Sequence, residues 1–278
     1  MKQLLNTLYL MTPNMYAHLD HENVKVEKVL ELQVHMTLKH LGSIVSVGDI
    51  MLSPRLIQKG AEDCRAVVFL DRNGRFKARI EGPTTGNVLL RLAQHETYRD
   101  AEKSLAFARN IAAGKLQNAR GVLMRGAREA KNADDEARLR KSGQRIGQII
   151  KRLPGCGDLD AVRGCEGEAG RSYFLAFDAM VSADRGVFAL AGRNRRPPRD
   201  PMNAILSFSY ALLLNDCISA AEGVGLDPQL GFMHAVRPGR PALALDLMAV
   251  LRSILCYRLA LTFITRTQLT SKQFEKRP

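Results

Sequence analysis

The chain has 278 residues, 46% of them hydrophobic, and carries 41 Lys and Arg against 28 Asp and Glu, a formal charge of +13. That length suits one large domain or two ordinary ones with real apolar cores, and the charge favours a polyanionic partner, either nucleic acid or an acidic membrane surface. Cys64, Cys156, Cys165, Cys217 and Cys256 are odd in number and contain no CxxC pair, which excludes a disulfide framework and a zinc knuckle and suits a reducing compartment. The opening MKQLLNTLYLMTPNMY is too polar after Leu5 for a signal peptide, and no apolar run approaches bilayer-crossing length. The expectation is a cytoplasmic protein with no membrane partner.

Residues 1–95 read mainly as strands. Val24, Val26, Val29 and Val34 lie in a β-branched stretch, while Ile44–Val47 and Ala66–Leu70 are short buried runs. Asp71–Arg75, with its Asn-Gly pair, predicts a hairpin into Phe76–Ile80, and Pro54–Cys64 predicts a short crossing helix. After Gly82-Pro83-Thr84-Thr85-Gly86 the period becomes helical. The predicted fold class is α+β multidomain, with a small N-terminal β domain over 1–87 and a larger all-α domain over 88–278. Within it, residues 99–152 hold 14 Lys and Arg against six Asp and Glu. A one-signed excess spread along helices predicts a phosphate-binding surface, although a solvated helical face has the same composition.

In GCGDLDAVRGCEGEAGRSYFLAFDAM (155–180), Leu159, Val162, Glu166, Ala169, Tyr173 and Phe177 recur at spacings of three and four. They share one helix face. A carboxylate on such a face is costly unless it is paired, here with Arg163 or Arg171, or coordinates a cation. Further on, Arg193, Arg195, Arg196 and Arg199 precede a predicted helix over Asn203–Glu222 with Asp200 as N-cap, Pro201 in its first turn and Gly223 as its stop. Those arginines are candidate phosphate ligands, or else a basic linker. Gly and Pro punctuate 223–241 too heavily for a helix, so His234 is expected in an ordered loop, flanked by Arg237 and Arg240. Asp246 is the one charge in the apolar run Pro241–Leu251, on a helix expected to be buried. Glu166, His234 and Asp246 together suit a mixed oxygen and nitrogen metal site.

The stretches MKQLLNTLYLMTPNMY, FKARIEGPTTGNVLLRLAQ, RGCEGEAGRSYF, GRNRRPPRDPMNAILSFSYALL and GLDPQLGFMHAVRPGRPALALDLM are collinear over nearly the whole chain. They resemble the CRISPR-associated spacer integrase family, Cas-one, in its type I, subtype C form. The resemblance implies a metal-dependent DNA endonuclease and integrase of antiviral defence, a homodimer, and assembly with the small companion protein Cas-two. It also implies manganese or magnesium (Mn2+ or Mg2+) held by a Glu, a His and an acidic residue. The Glu and His fall on Glu166 and His234. The acidic residue falls one turn after Asp246, at Ala249, which has no donor atom. Asp246 is then a substitute ligand or a hydrogen-bond partner of the site. DNA phosphates fall to Arg193, Arg195, Arg196, Arg199, Arg237 and Arg240.

The chain also departs from the family pattern after Arg252, where the Asp usual before Arg258 is Tyr257, and it ends sooner than the resemblance leads one to expect. Three functions follow: an active integrase-nuclease, a weakened relative that binds DNA as a scaffold, or a hydrolase of small phosphate esters. The last has no use for a charge of +13.

Overall fold

In the computed structural model, β-branched residues at alternating positions build a first unit, Met1–Val88 with Glu222–Leu226, and a second unit holds Leu89–Ala221 and Asp227–Pro278. The described residues are 6–28, 31–80, 82, 87–190, 192–194 and 198–274, so Leu5, Val29, Pro83, Thr84, Thr85, Gly86, Arg195 and Arg196 among the residues named above lie outside them.

The strands of the first unit are β1 (Asn6–Leu10), β2 (Met15–Asp20), β3 (Asn23–Lys28), β4 (Glu31–Thr37), β5 (Leu41–Val47), β6 (Met51–Leu52), β7 (Ala66–Leu70) and β8 (Phe76–Ile80). They form two four-stranded sheets, ordered β1-β5-β7-β8 and β4-β3-β2-β6. In β3, Val24 and Val26 are fully buried while Lys25 and Glu27 face the other way, the pattern of a strand covered on one side. β5 lies between two parallel neighbours, and its run Ile44–Val47 is buried throughout. The expected hairpin joins β7 to β8: Asp71 Oδ1 accepts from Asn73 and Arg75 N–H, each at 2.9 Å, and Gly74 takes φ +74°. The helix α1 (Pro54–Glu62) starts where Ser53 Oγ accepts from Leu56 N–H.

The second unit is mostly helical in its described residues: α2 (Val88–Arg99), α3 (Ala101–Glu129), α4 (Ala133–Arg152), α5 (Leu159–Phe177), α6 (Arg185–Phe188), α7 (Pro201–Gly223), α8 (Ala242–Leu251) and α9 (Arg258–Thr265). Side-chain caps start the long ones. Asp100 accepts from Glu102 and Lys103 N–H, Asn132 from Asp135 N–H, Asp158 from Ala161 N–H, and Asp200 from Asn203 N–H. The core joins Ala108, Ala112 and Leu123 of α3, Leu139 and Ile146 of α4, and Val162, Tyr173 and Phe177 of α5. Tyr257, which follows α8, stacks on Tyr173 with ring centroids 5.2 Å apart.

One expectation is overturned. α7 is long and apolar enough to cross a membrane by length and composition, and α8 with the segment to Thr265 forms a second, bent candidate. Polar residues such as Asn203, Ser207 and Asn215 interrupt the run without lowering its average far enough. Part of each helix also lies in the core: Met202 and Leu206 of α7 and Ala242 and Ala244 of α8 are fully buried.

Candidate functional site

The loop between α7 and α8 is held by three side chains from other parts of the second unit. Gln94, 6% exposed, donates to the carbonyls of Asp227 and Leu230 and accepts from Asp227 N–H. Arg163 Nε donates to the Met233 carbonyl at 3.0 Å. Asp246, fully buried on α8, accepts at Oδ2 from Phe232 and Met233 N–H (2.7 and 3.0 Å) and at Oδ1 from His234 N–H (3.0 Å). His234 Nδ1 stands 2.6 Å from the same Oδ1. Gly231 is required here: a Cβ would come within 2.5 Å of the Ala242 carbonyl carbon and 2.7 Å of Asp246 Oδ2. Phe107 stacks on Phe232 with centroids 4.7 Å apart and closes the apolar side.

This geometry gives Asp246 its role. Three backbone N–H donors hold it as an acceptor, so the contact with His234 is an Nδ1–H donating to Oδ1, which leaves Nε2 as the ring atom open to a ligand. A carboxylate orienting a histidine in this way is a common support for a metal-binding imidazole. The Asp246 oxygens are therefore committed to the loop backbone and to His234 Nδ1.

Glu166 lies on the α5 stripe expected of it: Val162, Ala169, Tyr173 and Phe177 are each no more than 3% exposed. It pairs with neither Arg163 nor Arg171. Lys115 of α3 contacts its Oε1, and Arg252, at the end of α8, places Nη2 3.8 Å from the same oxygen. Arg163 instead joins Asp160 at 3.2 Å and the His234 loop. Because Arg163 sits one turn before Glu166 and binds the residue before His234, α5 and the loop are tied together at the two candidate ligands. Arg252 Nε is buried and has no hydrogen-bond partner among the described residues, a spare donor beside Glu166.

Lys115 is a candidate site residue that the sequence pattern does not single out. It is 6% exposed and follows Ala108 and Ala112 on the buried face of α3, the same anomaly that marked Glu166 on α5.

Ala249, 1% exposed, sits in the apolar core of the unit. Among the described residues, no group of three or more His, Cys, Asp and Glu gathers to hold a metal ion. Of the residues expected to hold a metal, Glu166 meets Lys115 and Arg252, and His234 Nδ1 meets Asp246, which leaves His234 Nε2 and Glu166 as the candidate donors.

The arginines separate. Arg193 is half-buried and spent on the fold: it donates to Asn203 Oδ1 (2.6 Å) and Ser207 Oγ (3.1 Å), and its guanidinium lies 4.9 Å from the Tyr210 ring centroid. Arg195 and Arg196 lie outside the described residues. Arg199 and Arg237 are exposed and Arg240 is half-exposed. A further basic surface runs between α4 and α5, a groove of about 400 Å³ lined by Arg138, Lys141, Arg145 and Arg171 with Glu168 as its one acid.

Residues 8–278 match the family described as CRISPR associated protein Cas1. The chain is 55% identical over 275 residues to CRISPR-associated endonuclease Cas1 1 of Moorella thermoacetica, covering 99% of this chain and 80% of that protein. Two solved structures share the fold. In the Cas6-RT-Cas1–Cas2 complex the similar chain gives a TM-score of 0.80 at 21% identity, over 99% of this chain and 30% of that one. A casposase bound to integration product gives 0.79 at 22% identity, over 98% of this chain and 76% of that one.

Proposed function

Because the chain belongs to the CRISPR associated protein Cas1 family, we propose that it is a DNA endonuclease and integrase of spacer acquisition, the step of antiviral defence that adds spacers to a CRISPR array. The observation that carries this reading is the His234–Asp246 relay tied through Arg163 to the helix of Glu166. Its metal is manganese or magnesium, held by Glu166 and His234. Bound there, the ion supplies Lewis-acid polarisation of the scissile phosphodiester. The chain's own residues do the rest. Asp246 fixes the imidazole, Arg252 adds positive charge beside the phosphate, and Arg199, Arg237, Arg240 and the α4/α5 groove neutralise the backbone on either side.

We place the chain with the type I, subtype C members on the stretches quoted above. It works in the cytoplasm, for which the odd number of cysteines and the lack of a CxxC pair in the sequence are the support. Its partners are a second copy and Cas2; a similar chain in a solved Cas1–Cas2 complex supports the latter. Light scattering at micromolar concentration is expected to give twice the chain mass, and a single-chain mass throughout overturns the dimer.

A half-site integration assay with Mn2+ tests the function. Product is expected from the parent and none from Glu166→Ala, while the variant binds DNA within about twofold of the parent, because the phosphate contacts lie elsewhere. Equal product from both removes Glu166 from the reaction. Affinity should fall about a thousandfold or more between 50 and 200 mM salt if roughly six or more phosphates are neutralised. Binding that is flat in salt overturns the phosphate-dominated interface.

Ala249 and the Lys115 contact favour a second reading, a DNA-binding scaffold that keeps its partners and has lost the reaction. Its signature in the same assay is intact DNA binding and Cas2 assembly with no product at any Mn2+ concentration.

A further inference from the structure

Lys115 and Glu166 sit at the point where α3, α5 and α8 converge. Asn118 of α3 donates to the Val250 carbonyl of α8 at 2.9 Å, and Arg252 closes the same corner. A lysine only 6% exposed is tolerated there because a carboxylate meets it. Glu166 therefore has cationic partners without any ion, since Lys115 and Arg252 both approach it. A divalent cation added beside Glu166 brings two further positive charges to a place where two cationic side chains already stand. The acidic side chain that could absorb them is missing at Ala249.

We propose that Lys115 is a built-in counter-ion of Glu166 that competes with the divalent ion for this carboxylate and holds the centre in a metal-poor resting state. The inference rests on the reading of Glu166 and His234 as a metal centre, and adds what limits its occupancy. Both cations meet one carboxylate oxygen, Oε1. An incoming ion must therefore displace the ammonium or share the carboxylate with it at close range, where like charges repel strongly.

The test is Mn2+ binding to the whole protein without DNA, followed by the loss of the free-ion EPR signal and by calorimetry. The parent is expected to bind weakly. Lys115→Met, which keeps the length of the stem and removes the charge, is expected to bind about tenfold more tightly or better, a gain of about 1.4 kcal/mol. Glu166→Gln is expected to abolish the gain in the Lys115→Met background. Circular dichroism and DNA gel shift confirm that each variant is folded.

Tight stoichiometric binding by the parent overturns the competition and leaves the metal centre standing, whatever the variant does. Equal or weaker binding by a folded Lys115→Met does the same. Mn2+ binding that ignores Glu166→Gln in both backgrounds overturns the metal centre itself and the inference with it.

Discussion

Replacing Asp246 with Ala is expected to destabilise the second unit by about 3–5 kcal/mol, because it strands buried donors that have no other acceptor. The N–H groups of Phe232, Met233 and His234 and the imidazole Nδ1 all converge on its two oxygens within 3.0 Å, and the carboxylate has no exposure to water. Asp246→Asn keeps the volume and fails differently. Its single carbonyl oxygen can serve either the Phe232–Met233 pair or the His234 pair, and its amide hydrogens then face the remaining donors. Both variants release the His234 tautomer, so any Mn2+-dependent integration should fall about 10–100-fold. Denaturant unfolding measures the first effect, and nitrogen chemical shifts of the imidazole measure the second. Stability within about 0.5 kcal/mol of the parent, together with an unchanged tautomer, would falsify the assignment of Asp246 as the anchor of the loop.

Much of this centre is visible in the sequence as charge in the wrong place. Glu166 stands out against Val162, Ala169, Tyr173 and Phe177, and Asp246 against the apolar run around it. What local pattern cannot supply is the partner. The donors to Asp246 come from a loop 12 to 14 residues upstream, and the cation on Glu166 comes from α3, 51 positions away. Lys115 carried the same signal as Glu166. In the sequence, however, it is indistinguishable from the other basic residues among the 14 of 99–152, whose one-signed excess suggests an outward-facing surface. Arg193 differs in the opposite direction: nothing in GRNRRPPRD shows that its guanidinium turns back onto Asn203, Ser207 and Tyr210.

The β domain divides in the same way. Strand positions follow from β-branched runs and the hairpin from its Asn-Gly pair. The separation into two sheets depends on the parallel pairings β1–β5 and β2–β6, which no local pattern encodes.

Ala249→Glu is expected to have opposite effects without and with metal. Ala249 is 1% exposed among apolar neighbours, so a carboxylate there is desolvated and, without an ion, should cost roughly 1–3 kcal/mol. Asp246, three residues earlier on α8, cannot substitute for it. A helix turn separates the two by about 5.4 Å, and metal–oxygen bonds are about 2.0–2.6 Å. The new Glu adds the missing negative charge on the helix that also presents Arg252 near Glu166. Mn2+ affinity should therefore rise about tenfold or more, and integration with it. Since an ion that binds only the folded state stabilises it, the variant should melt below the parent in chelator and gain more than the parent when Mn2+ is added. A two-condition thermal melt reads this crossover before any DNA is present. Parallel shifts in the two proteins, with unchanged integration, show that position 249 does not face the ion and that Glu166 and His234 build their site without a ligand there.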